Sequence, residues 1–367
     1  MNCARWLWLV GTLAAFAGCS GKYVRDEPAQ TAGSGGSGGS ALAPGGAGPI
    51  AAGGDNPISF GGASVAGAPN ANSFCGVAFP TTHLAQFADP PVISARVQGF
   101  LMSKFAAATT YPQQTTRDWA ESLVSSAFSA APSLPVQGMA RFMLDFWPKT
   151  TFSDQYALLF NGGSGLTNLL VGNPTGLHSL LLDPSVLSSD VIGDRGVYIA
   201  EHLLCIGIPP PHPGPELAMP HPGITRRDAL AQSTVSPACA ACHQLFDPLG
   251  YGLENYASDG RFRSVDNGLP IDSSGNYNLQ YSGRLSFKDA TDLAVQLSHS
   301  CEVEQCVAQT MLRNALASFN VEGAQEYLKP GDVAEVAAAF SAQGGDLNGL
   351  VRAVVRSDTF LQPIAQP

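Results

Sequence analysis

The sequence predicts a mainly α-helical fold with one small β-hairpin. Apolar residues recur at three- and four-residue intervals in successive segments between residues 91 and 357, as amphipathic helices require. Prolines and turn-forming residues separate these segments. Residues alternate across Ile271–Leu285, around a Ser-Ser-Gly turn, and this pattern predicts the hairpin. Roughly 290 residues follow the first 73, enough for one large domain or two smaller ones.

The first folded region, residues 74–180, is predicted to be helical. A threonine at 115 or 116 is a plausible cap for the second helix, and Pro148 stops the third. Residues 149–193 are otherwise rich in turns. The predicted helices contain, in order, residues 97–105, 116–128, 136–147, 164–170 and 177–182.

The second region, residues 181–265, is predicted to contain short helices joined by extended chain. One helix spans Gly196–Cys205 and ends before the proline run of Ile208–Pro211, which favours a polyproline-like conformation. Thr225 is placed to cap the next helix. We expect Asp247–Gly250 to break the helix that follows.

The third region, residues 266–367, begins with the hairpin and continues as helices. The predicted helices lie near residues 288–298, 303–318, 333–340 and 348–357. No segment after residue 19 is long and apolar enough to suggest a membrane span.

Residues 1–18 are predicted to be an export signal. Arg5 supplies a positive start, Leu7–Ala17 is a short apolar run, and small residues precede Cys19. The stretch resembles a bacterial lipoprotein signal, which implies that Cys19 becomes the first mature residue and carries a lipid. An ordinary secretory signal cut nearby is the alternative.

Residues 19–73 are predicted to be a flexible tether. Gly, Ala, Ser and Pro dominate this segment, so it can bury too little apolar area to offset the entropy of ordering. The tether would connect the lipid to the folded body, and the lipid is the expected membrane contact.

Composition argues against some classes of partner. Charged residues make up 13% of the chain, and the formal net charge is −10. A sparse, acidic surface does not favour binding to nucleic acid or to anionic lipid.

The sequence Cys239-Ala240-Ala241-Cys242-His243 has the Cys-x-x-Cys-His pattern of c-type haem attachment. Two thiols at this spacing can add to the two vinyl groups of one porphyrin, and His243 can then bind the iron. The pattern predicts haem c as the cofactor. A Cys239–Cys242 disulfide and half of a metal site are the alternatives, although the chain offers no second ligand pair at zinc spacing.

The remaining cysteines predict two disulfides. Setting aside the cysteines of the signal, the lipid and the motif leaves Cys75, Cys205, Cys301 and Cys306. An even number in an oxidising compartment suggests bridges, and three pairings are possible. We favour Cys301–Cys306 with Cys75–Cys205, on the condition that Cys301 lies outside the helix that Cys306 begins.

The sequence does not identify the sixth ligand of the iron. Met311 is the only methionine after the motif, and a methionine ligand would raise the potential of the iron. Its helical spacing with apolar neighbours also fits a core position. Met219, His221 and His212 precede the motif and could fold across the haem, or the position could hold water.

Arg261 and Arg263 are candidates to pair with the haem propionates, because a guanidinium matches a carboxylate in two hydrogen bonds. A surface ion pair with Asp259 or Glu254 is the alternative.

Seven short motifs occur in order in the second region: Arg195–Val197, Ile208–Pro211, Thr225–Leu230, Cys239–His243, Asp247–Gly250, Leu253–Tyr256 and Gly260–Arg263. With them, residues 182–263 resemble a planctomycete-type cytochrome c domain that is also found in myxobacteria. Residues 268–360 resemble the partner domain that usually follows it, through Ile271–Gly275, Ser282–Gly283 and Ser357–Phe360. The resemblance implies haem and export, and it names no substrate.

These observations favour a lipid-anchored c-type cytochrome that transfers electrons in the envelope of a Gram-negative bacterium, in the periplasm or at the outer membrane. Such a protein needs a redox partner protein, which the sequence does not identify. A haem oxidoreductase, or its subunit, with an open distal site is a second hypothesis. A structural lipoprotein without haem, with Cys239 and Cys242 in a disulfide, is a third.

Overall fold

A computed structural model describes residues 72–101, 116–130, 134–161, 164–172, 179–209, 222–317 and 328–363. Within these ranges the chain forms fifteen α-helices, one 3₁₀ turn and three two-stranded antiparallel sheets. The predicted mainly α fold is therefore confirmed. The predicted signal, and the tether up to its last two residues, lie outside the described ranges.

The first region begins with a two-stranded hairpin and continues as five helices. Its elements are β1 (Ser73–Phe74), β2 (Val77–Ala78), α1 (Pro90–Leu101), α2 (Thr116–Ala130), α3 (Leu134–Phe146), α4 (Ser153–Phe160) and α5 (Gly165–Val171). The sequence does not predict α4, whose residues lie in the turn-rich stretch 149–193. This helix forms by packing on α3, with Tyr156, Ala157 and Phe160 buried.

The second region consists of short helices. Its elements are a 3₁₀ turn (Leu180–Leu182), α6 (Pro184–Leu187), α7 (Ile192–Leu203), α8 (Arg226–Ser233), α9 (Pro237–His243) and α10 (Asp247–Tyr251). Thr225 caps α8 as predicted, since its hydroxyl accepts a hydrogen bond from the backbone N–H of Asp228 at 3.1 Å. Helix α7 begins at Ile192 rather than at the predicted Gly196, because its first turn is buried against α10.

The third region contains two further hairpins and five helices. Its elements are β3 (Val265–Asp266), β4 (Leu269–Pro270), β5 (Gly275–Asn278), β6 (Arg284–Phe287), α11 (Ala290–Ser298), α12 (Cys301–Ala317), α13 (Pro330–Ala342), α14 (Leu347–Arg356) and α15 (Asp358–Leu361). The predicted hairpin is β5–β6, in which Tyr277 pairs with Leu285 and both are buried.

One hydrophobic cluster runs through all three regions. It includes Trp147 and Leu170 from the first, Leu203 and Leu249 from the second, and Phe340 from the third. The division into separate domains stays a prediction, and the buried side chains of the three regions are in contact.

Buried polar groups also connect the first region to the third. The guanidinium of Arg96, 6% exposed, donates to the carbonyls of Phe360 and Gln362 at 2.8 Å each. Arg117 forms an ion pair with Asp358. Because these bonds join α1 and α2 to the end of the chain, the C-terminal helices are held against the first region.

The predicted disulfide pairing is wrong. The bonds are Cys75–Cys301 and Cys205–Cys306, with Cα–Cα distances of 5.5 and 5.3 Å. Cys301 is the first residue of α12, the same helix that contains Cys306. Five residues of helix separate their Cα atoms too far for a bridge, so the condition for the predicted pairing fails.

Among the helices of the described residues, none has both the length and the apolar character that a bilayer crossing needs.

Candidate functional site

The Cys-x-x-Cys-His motif forms a seven-residue helix of its own, α9. Ser236 caps it, its side chain accepting from the backbone N–H of Cys239 at 3.4 Å, and Pro237 occupies the first turn, where no N–H is needed. The helical repeat places Cys242 and His243 three and four residues after Cys239, on one face. The local sequence alone therefore gathers both sulfurs and the imidazole.

The two motif cysteines are not bonded to each other. Cys242 is a free, partly exposed thiol. Cys239 is 6% exposed and engaged in a disulfide, but not with Cys242. The hypothesis of a Cys239–Cys242 disulfide is therefore wrong for this structure, because Cys242 is free.

His243 is oriented by a buried carboxylate. Its Nδ1 lies 2.9 Å from Oδ2 of Asp247, and the two side chains are 13% and 5% exposed. When Asp247 is ionised, its oxygen accepts and Nδ1 donates this hydrogen bond, which leaves Nε2 as the available ring nitrogen. Histidine ligands of metals are commonly held in this way through their second nitrogen.

Asp247 begins α10, which corrects the expectation that Asp247–Gly250 only breaks a helix. A turn at residues 244–246 separates α9 from α10, so the carboxylate follows His243 by four residues. Burial raises the pKa of Asp247, and the hydrogen bond to His243 opposes that rise. Its second oxygen, Oδ1, is buried without a hydrogen-bond partner among the described residues.

Close packing of α7 on α10 fixes the position of Asp247. A Cβ on Gly196 would lie 1.9 Å from the carbonyl oxygen of Phe246, and one on Gly250 would lie 2.1 Å from the carbonyl oxygen of Ile192. Both distances are far below van der Waals contact, so glycine is required at these two positions. The backbones of α7 and α10 are therefore in direct contact, and this contact fixes the backbone that carries Asp247.

Arg195 supports the loop after α10. Its side chain is buried, and it donates to the carbonyls of Leu253, Tyr256 and Ser189 at 2.7–2.8 Å. Burial lowers the pKa of Arg195 to about 10. The side chain thus binds backbone oxygens in place of water and joins α7 to the loop.

A buried charged cluster lies beside that loop. Asp266, 4% exposed, binds Arg263 at 3.0 Å and accepts from the backbone N–H of Arg226 at 2.6 Å. Glu254 is 1% exposed, and its Oε1 has no hydrogen-bond partner among the described residues. Burial, and then the charge of Asp266, raises the pKa of Glu254 to about 7, against the opposing effect of nearby arginines.

The two arginines proposed for haem propionates have other contacts here. Arg263 is 19% exposed and donates to the carbonyl of Glu254 and to Asp266. Arg261 is 85% exposed and pairs with Asp259 at 2.6 Å, the surface ion pair given as the alternative. Any role toward a propionate stays a prediction for both.

The candidate sixth ligands are not gathered around α9 within the described residues. Met311 is 2% exposed in the hydrophobic cluster, on α12, which packs chiefly on α13, α3 and α14. This position fits the core interpretation. Met219, His221 and His212 lie outside the described residues.

Asp247 and Glu254 have surroundings that the sequence analysis does not predict. The sequence predicts only that Asp247–Gly250 breaks a helix, yet the spacing of four residues between His243 and Asp247 is a signal for their contact. For Glu254 the sequence holds no such signal, because its burial arises from residues distant in the chain.

The residue types and their spacing fit haem c once Cys239 is reduced. Cys242 is a free thiol, Cys239 is in a disulfide in this structure, and the Nδ1 hydrogen bond leaves Nε2 of His243 for iron. Val235, 78% exposed, offers apolar surface just before α9.

Residues 179–266 match the model of a family called PSCyt3, described as a protein of unknown function (DUF1588). It is a planctomycete cytochrome-like domain family, in agreement with the resemblance found in the sequence. The matched residues include the motif, its aspartate and the charged cluster. No curated protein and no solved structure matches the chain.

Proposed function

We propose that this protein is an exported, lipid-anchored c-type cytochrome that transfers electrons through one covalently attached haem. The observation that carries the proposal is the His243–Asp247 hydrogen bond, beside two cysteines on the same helical face. The match of residues 179–266 to a cytochrome-like family supports it.

Each residue has a defined part in this proposal. Cys239 and Cys242, as thiols, would form thioethers to haem c, and His243 would bind the iron through Nε2. Asp247 would hold the Nδ1 proton and make the imidazole a stronger donor. Bound haem supplies one-electron redox chemistry at its iron.

Covalent haem is tested on the full chain made in a host with c-type haem maturation. We expect absorption bands that respond to reduction, and a haem stain that survives denaturation. Cys239→Ala with Cys242→Ala should abolish both signals, and the matched pair Cys75→Ala with Cys301→Ala should keep them. A colourless parent protein, or a haem stain in the Cys239/Cys242 double variant, would refute attachment at this motif.

Export and anchoring are tested separately, because the haem could be present without the lipid. Labelled palmitate should enter the parent protein and not Cys19→Ala, and the variant should move from the membrane fraction to the soluble periplasm. If the parent protein takes up no label, the lipid anchor is refuted and the proposal is reduced to a secreted cytochrome without a lipid.

A haem oxidoreductase with an open distal side is the second candidate, and the position of Met311 in the core favours it. The spin state of the ferric protein separates the two. A six-coordinate low-spin spectrum supports electron transfer, and a high-spin spectrum that changes with added cyanide supports the open site.

A further inference from the structure

A pocket of about 240 Å³ opens between the first hairpin and the C-terminal helices. Of the lining residues that the structure describes, none belongs to the region that contains the haem motif. The residues that carry the argument are Val77 on β2, Gln305, Gln309 and Arg313 on α12, and Pro330 and Val333 on α13.

One wall of the pocket is polar and cationic. Gln305, Gln309 and Arg313 follow one another at intervals of four residues, so they share one face of α12. Nε of Arg313 is buried without a hydrogen-bond partner among the described residues, and its guanidinium is in none of their ion pairs. A buried donor left unpaired is unfavourable, and an anion is the group that would satisfy it.

The facing wall is apolar and held in place. The Cys75–Cys301 disulfide joins the hairpin to the start of α12, and the amide of Gln305 donates to the carbonyl of Phe74 at 3.5 Å. A Cβ on Gly331 would lie 3.0 Å from the carbonyl oxygen of Ala78, so α13 is also close to the hairpin. The pocket is therefore largely formed before any ligand binds.

We propose that this pocket binds a small organic carboxylate with a hydrocarbon body. Arg313 would bind the carboxylate in two parallel hydrogen bonds, the glutamine amides would donate to it, and Val77 and Val333 would contact the hydrocarbon. The volume is below that of sites for drug-sized ligands, which limits the occupant to a small acid. The proposal does not depend on haem.

The test uses 4-fluorobenzoate and the neutral 4-fluorobenzamide, observed by ¹⁹F NMR with the full chain. We expect saturable binding of the acid, with a Kd of about 1 mM. Arg313→Gln should weaken it at least about tenfold, since a charge-assisted hydrogen bond is lost. The Kd of Arg313→Lys for the acid should lie between those of the parent protein and of Arg313→Gln. The neutral 4-fluorobenzamide should bind the parent protein and Arg313→Gln equally.

Two further variants make the result decisive. Arg352→Gln removes a half-exposed arginine paired with Glu121 at 3.7 Å, and it should leave the Kd unchanged. Val77→Phe fills the apolar wall and should abolish binding of the acid even if Arg313→Gln does not fold. Absence of saturable binding to the parent, or an unchanged Kd in Arg313→Gln, overturns the proposal. Repeating the titration with Cys239→Ala and Cys242→Ala separates this outcome from failure of the haem proposal.

Discussion

Helix α9, which contains the motif, and the preceding helix α8 differ from the helical body in their packing. The body buries its apolar side chains in one continuous cluster and contains the Cys75–Cys301 and Cys205–Cys306 bonds. Cys239 of α9 is also in a disulfide, so the difference lies in apolar burial. Among the residues of α8 and α9 whose burial the structure describes, the buried ones are Ala229, Leu230 and Cys239, and they lie outside that cluster. Cys242, partly buried, packs against it.

Polar contacts position α8 instead. Arg227 donates to the carbonyls of Asp272 and Ser274 at 2.7 and 2.6 Å and stacks over Tyr251 at 4.2 Å. Arg226 binds Asp266. Directional bonds therefore hold α8, and few of the described residues of α8 and α9 are buried. The body should therefore be stable without haem.

The largest expected effect concerns the body. Cys205→Ala with Cys306→Ala should lower the free energy of unfolding by about 4 kcal/mol, because the bond closes a loop of 101 residues in the unfolded chain. Urea unfolding followed by far-UV circular dichroism measures the loss. Cys242→Ala is the control and should change the midpoint little. Comparable losses in both variants would contradict the distinction between body and motif.

The next largest effect concerns the contact between α7 and α10, the helix that begins with Asp247. Gly196→Ala places a methyl group against the carbonyl of Phe246 and should cost about 3 kcal/mol, since neither helix backbone can move aside cheaply. Gly207→Ala meets no atom within 4 Å and is the matched control, with an expected change within about 0.5 kcal/mol. Equal midpoints for the two variants would show that α7 and α10 are not rigidly packed.

The buried cluster should make stability depend on pH. Folding raises the pKa of Glu254 from the ordinary 4.5 to about 7, so between these values the native state holds a proton that the unfolded state has lost. This contribution to the free energy of unfolding is fully present below about pH 4.5 and is lost as pH rises through 7.

Glu254→Gln removes that dependence. The variant should match the parent protein at pH 5 and exceed it at pH 8 by on the order of 2 kcal/mol, measured by urea unfolding at both values. Asp259→Asn, a change at an exposed carboxylate, should produce no such divergence. If the gap between Glu254→Gln and the parent is the same at both pH values, Glu254 does not titrate near 7.

The smallest expected effect concerns the motif helix and depends on the proposed haem. Asp247→Asn weakens the donor character that the carboxylate gives His243, and it should raise the midpoint potential by about 60 mV, equivalent to about a tenfold change in relative affinity. Spectroelectrochemical titration measures the potential. Asp259→Asn changes the net charge equally and should shift it far less; equal shifts would reduce Asp247 to a general electrostatic effect.

Local patterns explain where sequence prediction succeeds and fails. Helices α1, α2, α3 and α12 are long and periodic, so their apolar stripes are visible in the sequence. Helix α4 lies in a turn-rich stretch, and its residues are buried by packing against α3. The disulfide pairing fails for a related reason: it depends on which loops the fold brings near α12, which spacing along the chain does not encode.

Local sequence patterns are sufficient to predict the helical class and the set of chemical groups at the motif. Ser236, Pro237 and the spacing of Cys239, Cys242 and His243 act within one helical turn or two, so local rules suffice. The burial of Asp247 against α7 depends on the packed fold. So does the burial that raises the pKa of Glu254 to about 7 despite the arginines nearby. Burial and pairing over long sequence distances are properties of the packed chain, because they depend on which distant residues exclude water from each group.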